Sequence, residues 1–79
     1  MDNTRFLSHI EEALRAEPGS VTMADQLRNL EGWDSIGALS IIAVIDEQYG
    51  LTLDAGALLT SQTVGDLAAL VAVGLAKAA

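Results

Sequence analysis

The chain has no cysteine. That excludes a disulfide framework and any thiolate metal centre. One Phe, one Tyr and one Trp are its only aromatics. The core must therefore be built from Leu, Ile, Val and Ala. Positive charge is scarce: four Lys and Arg stand against eleven Asp and Glu, for a net charge of −7. A nucleic-acid surface needs cations for its phosphates, and docking on an anionic membrane needs them too. Long apolar runs are also missing. Ile36–Ile45 and Leu67–Ala76 reach about half of the roughly 20 residues that a spanning helix requires. No basic patch followed by an apolar stretch opens the chain at Met1–Arg5. These absences predict a soluble, cytoplasmic protein without nucleic-acid or membrane partners.

What is present is a sequence of 79 residues, 51% hydrophobic, enough for one folded domain over 1–79. A core of this size supplies only a few kcal/mol. Phe6, Ile10 and Leu14 recur at helical spacing, predicting an amphipathic helix from Asn3 to Ala16 with Asp2, Asn3 or Thr4 as cap. Glu11, Glu12 and Arg15 fall on its wet side. Pro18-Gly19-Ser20 ends it. Residues 17–34 form a long connection. Val21, Met23, Leu27 and Leu30 are spaced to hold it on the core, with a helical turn near Ala24–Leu27. A second helix is expected over Ser35–Tyr49, capped by Asp34 or Ser35 and closed by Gly50. A short helix follows Asp54 over Ala55–Leu59. The last helix runs from Val64 to Ala76 behind a Thr63/Asp66 capping box. No segment is long enough to build a sheet. The fold class is all-α, a small four-helix bundle of three longer helices and one short one.

The second helix carries two apolar faces. With Ile36 at zero, Ala38, Ile41, Ile42, Ile45 and Tyr49 cluster at roughly 140–240°, a sufficient core stripe. Ile36, Leu39 and Ala43 lie opposite, with Ser40 and Glu47 beside them. Burying both faces is hard in so small a bundle, so the second face is expected to be an exposed docking strip. The acids are concentrated nearby. Glu31, Asp34, Asp46, Glu47, Asp54 and Asp66 follow one another with no Lys or Arg between Arg28 and Lys77. Such a field steers basic partners.

Catalytic chemistry is unsupported. His9 is the only histidine and has no nucleophile or orienting group near it in sequence. Glu11-Glu12 and Asp46-Glu47 are i, i+1 pairs, which point different ways on a helix. No calcium-type loop or phosphate-binding glycine cluster occurs. Neither an enzyme nor a metal site is expected.

Leu30-Glu31-Gly32-Trp33-Asp34-Ser35-Ile36 stands apart. It places a serine after a glycine-containing turn, at the start of a helix. A hydroxyl there is exposed, and an anion attached to it meets free N–H groups and the positive end of the helix dipole. In an acidic four-helix domain, Asp34-Ser35-Ile36 resembles the Asp-Ser-Leu motif of the acyl carrier proteins. The resemblance extends from the first helix through Tyr49-Gly50 to Thr63-Val64. It implies that Ser35, with Asp34 beside it, carries 4′-phosphopantetheine from coenzyme A. It implies a thioester-bound acyl cargo and no catalytic activity of the chain's own. The partners implied are a phosphopantetheinyl transferase and the acyl-loading and acyl-transfer enzymes of one pathway. They would be met by Asp34, Ile36, Leu39, Ala43 and Glu47. A monomer is expected.

Two positions depart from the fatty-acid carriers. Gly37 and Ser40 stand where those proteins commonly have acids. Ala55–Gln62 also carries none. A specialised fatty-acid, polyketide or related biosynthetic pathway is therefore preferred over housekeeping synthesis. Gly32-Trp33-Asp34 differs from the Gly-Gly pattern of peptidyl carriers. An aminoacyl or peptidyl carrier, and an unmodified acidic helical adaptor, stand as the alternatives.

Overall fold

The computed structural model describes residues 2–78. Four helices follow in order: α1 Asn3–Leu14, α2 Ser35–Tyr49, α3 Ala55–Thr60 and α4 Val64–Ala78. A single 3₁₀ turn, Leu27–Asn29, interrupts the connection between α1 and α2. It sits slightly later than the sequence suggests. α1 and α3 both pack against α2.

Each helix start is set by a short polar side chain. Asp2 accepts from Thr4 N at 2.9 Å, and Asp54 accepts from Ala57 N at 3.1 Å. The capping box closes in both directions: Asp66 N donates to Thr63 Oγ1 at 3.0 Å and Thr63 N to Asp66 Oδ2 at 3.2 Å. These bonds satisfy N–H groups that a helix start otherwise leaves unpaired.

α1 ends two residues before the expected Ala16. Arg15 turns left-handed with φ of 56°. Arg15 N donates back to the Glu12 carbonyl and Ala16 N to that of Glu11. This closure satisfies the last carbonyls before Pro18 is reached.

The core is aliphatic but for Phe6, which the expectation of a core of Leu, Ile, Val and Ala left out. Phe6, Ile10, Leu27, Ile41, Ile45, Leu58, Val64, Leu67 and Val71 are fully buried. The long connection is fastened to it at several points. Val21 and Leu27 are buried, with Met23 and Leu30 packed against the cluster. Backbone bonds tie the same segment to the start of α4: Leu27 N to the Gln62 carbonyl, Val64 N to Asp25 and Gly65 N to Met23, at 2.8–2.9 Å. Gln26 and Thr63 form an isolated antiparallel bridge, not a strand.

Glu11 is a correction. It borders the apolar stripe rather than facing water, and it is the buried charged residue of the core. Its Oε2 accepts from Gly19 N at 2.9 Å and Val21 N at 3.1 Å. The carboxylate thus pays its desolvation by pinning the connection just after Pro18. Helical periodicity cannot show this, because the partners are backbone groups eight and ten residues away.

Candidate functional site

α2 begins where the connection ends. Of the two capping candidates, Asp34 takes the role: its Oδ1 accepts from Gly37 N at 2.7 Å, and its carbonyl accepts from Ala38 N at 2.9 Å. Asp34 itself is extended, with φ of −147°. Ser35 is thereby the first helical residue, and its side chain is exposed. Its hydroxyl makes no hydrogen bond among the described residues, so the cap does not consume it. The amides of Ser35 and Ile36 lie in the first turn, where a helix provides no internal acceptor. An exposed hydroxyl beside open N–H groups and the positive end of a 15-residue helix is suited to bearing an anionic ester.

The two faces of α2 separate as the periodicity indicates. Ala38, Ile41 and Ile45 are buried, and Ile42 and Tyr49 are half-buried against the core. On the other side Ile36 is 73% exposed and Leu39 63% exposed. Ala43 and Glu47 are exposed as well, and Ser40 is half-buried. Ile36, Leu39, Ala43 and Glu47 therefore lie along one open side, with the exposed Asp34 and Ser35 at the head of the helix. Glu47 lies about 18 Å along the axis from Ser35.

α3 adds a residue that the sequence reading missed. Leu59 is 65% exposed. With the half-buried Trp33 it borders a cleft of about 360 Å³, whose other walls include Leu27, Arg28 and Gln62. Six residues of helix are too few for a convincing periodic pattern, so little in the residues themselves marks Leu59.

His9 is far from this site. It rests edge-on against Tyr49, with ring centroids 5.6 Å apart, at the far end of α2 from Ser35. Tyr49 also touches Phe6, at 6.3 Å. His9 Nδ1 and Tyr49 Oη are buried without a hydrogen-bond partner. Burial pushes the Tyr49 hydroxyl above its ordinary pKa of 10.0; the charge of Arg5 works against this and that of Asp2 with it. No group of three or more His, Cys, Asp or Glu that could hold a metal occurs among the described residues. Among the same residues no helix is long and apolar enough to cross a membrane.

The family model of the phosphopantetheine attachment site matches residues 4–71. The chain belongs to this family. An attachment domain carries its phosphopantetheine covalently, and the exposed, unengaged hydroxyl of Ser35 at the head of α2 fits that requirement. The solution structure of the holo acyl carrier protein from Geobacter metallireducens superposes with a TM-score of 0.78 at 24% identity. The match covers 98% of this chain and 90% of that one. The attachment domain thus has the acyl carrier fold, four helices and no strand among its described residues. It is a carrier, not an enzyme. No curated protein matches it.

Proposed function

We propose that Ser35 is the attachment residue and that the chain works as a single acyl carrier domain. The observation that carries this reading is the division of labour at the head of α2. Asp34 caps the helix through Gly37 N, and Ser35 is left exposed with its hydroxyl unengaged. Esterification of that hydroxyl by a transferase places a phosphodiester beside the open amides of the first turn, where the helix dipole favours negative charge. The arm ends in a thiol, which holds an acyl group as a thioester. The absence of cysteine leaves that thiol as the only one on the loaded protein.

The open side of α2 supplies the docking contacts. Ile36, Leu39 and Ala43 give apolar area, and Asp34 and Glu47 give charge at its two ends. The partners are the transferase and the enzymes that load and receive the acyl group. Gly37, Ser40 and an α3 without acids make this side less negative than that of the common fatty-acid carriers. We assign the chain to a specialised fatty-acid, polyketide or related pathway on that ground, as a cytoplasmic monomer.

The test is the intact mass of the purified protein before and after incubation with coenzyme A, Mg²⁺ and a broad-specificity phosphopantetheinyl transferase. The expected result is a gain of one phosphopantetheine, absent in Ser35→Ala. A Ser35→Ala protein that still gains the group would overturn the assignment.

A further inference from the structure

Gly37 lies two residues beyond Ser35, and a small residue there has no obvious part in attachment. It is nevertheless buried, in the first turn of an otherwise open helix end. A Cβ built on it would overlap the backbone carbonyl oxygen of Gly32 and stand 3.0 Å from Leu14 Cδ2. Gly32 has φ of +86°, a backbone conformation that favours glycine. A Cβ there would stand 3.0 Å from the Leu14 carbonyl oxygen. Leu14 is the last residue of α1. The turn before Ser35 therefore packs closely against backbone both of the first turn of α2 and of the end of α1, with the Leu14 side chain beside Gly37.

We infer that Gly32 and Gly37 are positioning residues for attachment: their bare contact fixes the head of α2, and with it the Ser35 hydroxyl, against the end of α1. This rests on the reading of Ser35 as the attachment residue. Gly37 serves the site twice, because its N–H also holds the Asp34 cap. Ser35 lies between the two glycines in the chain. Any side chain at position 37 must push the head of α2 away from the Gly32 carbonyl, and backbone cannot yield as a side-chain tip can. A displacement of about 1 Å is enough to cost up to a hundredfold in a positioned reaction. The same geometry gives a physical reason for the missing acid at this position: a carboxylate side chain does not fit there.

Gly37→Ala tests the proposal against Gly74→Ala. A Cβ on Gly74 would crowd Leu51 Cδ2 and Cδ1, at 2.7 and 2.9 Å, next to the far end of α2. It perturbs packing without touching the contact at Ser35. With the transferase, Gly37→Ala is expected to lower kcat/KM for the carrier by about tenfold or more while the KM for coenzyme A stays unchanged. Gly74→Ala is expected to leave both near wild type. Equal slowing in the two variants, or none in Gly37→Ala, would overturn the inference.

A second readout needs no transferase. Amide residual dipolar couplings of Ser35–Leu39 should no longer fit the wild-type arrangement relative to α1 in Gly37→Ala. If they still fit, the inference fails. A wild-type chain that gains no arm would strike at the reading of Ser35 instead, and the couplings would still decide the positioning. If Gly37→Ala does not fold, Gly32→Ala wedges the same turn from its other side, against the Leu14 carbonyl and with the strain of its positive φ, with the same expected and overturning results.

Discussion

On one side of α2, Ile41 and Ile45 have lost all contact with water; on the other, Ile36 and Leu39 keep 73% and 63% of theirs. All four are branched aliphatic residues of one helix. Only the phase differs. Burying such a side chain is worth about 1.5–3 kcal/mol, so leaving two of them in solvent withholds a sizeable part of what a small core can supply. A chain this short has little stability to withhold. The inner side is explained by what it holds; the outer side finds its reason in the docking role proposed for it.

The comparison can be broken most forcefully from within. Ile45→Ala removes a fully buried branched chain and should cost about 2–5 kcal/mol in equilibrium unfolding. A loss below 1 kcal/mol would mean that the inner face is not the core. Glu11→Ala should cost about 2–3 kcal/mol, because it strands the amides of Gly19 and Val21; Glu11→Gln, which keeps an acceptor, should cost clearly less. Equal losses in the two would show that the carboxylate's bonds do not hold the connection.

Gentler tests sharpen the same contrast. Added salt should raise the melting temperature, because the acids from Glu31 to Asp66 repel one another with no cation among them. A melting temperature that ignores salt would contradict this. At the far end of the inner face, the pKa of Tyr49 is raised on folding, so the unfolded chain loses its proton first as pH rises. The contribution is fully present below pH 10.0, the ordinary tyrosine value, and is lost as pH climbs through the higher folded value. Stability should fall across that alkaline window, less steeply in Tyr49→Phe. Identical alkaline slopes would contradict it.

Much of this was legible in the residues themselves. The bounds of α2 follow from Asp34 and Gly50, and its two faces follow from a 3.6-residue period. The start of α4 follows from Thr63 and Asp66. What escaped depends on contacts between segments distant in sequence. Glu11 looked wet because its partners are backbone amides of a loop. Gly37 looked like a missing acid because the Gly32 carbonyl that excludes a side chain lies in the preceding turn. The choice between Asp34 and Ser35 as cap was left open by composition, since both residue types cap well. It was settled by backbone geometry, and it decides which of the two keeps an unengaged side chain. Leu59 sits on a helix too short to show a phase.

The most direct test of a divided α2 is Leu39→Ala, measured twice on the same preparation: by equilibrium unfolding and by its rate of phosphopantetheine attachment. Unfolding stability should change by less than about 0.5 kcal/mol, as for an exposed side chain, while attachment slows severalfold. A stability loss matching that of Ile45→Ala, with an unchanged attachment rate, would make Leu39 part of the core and contradict the division.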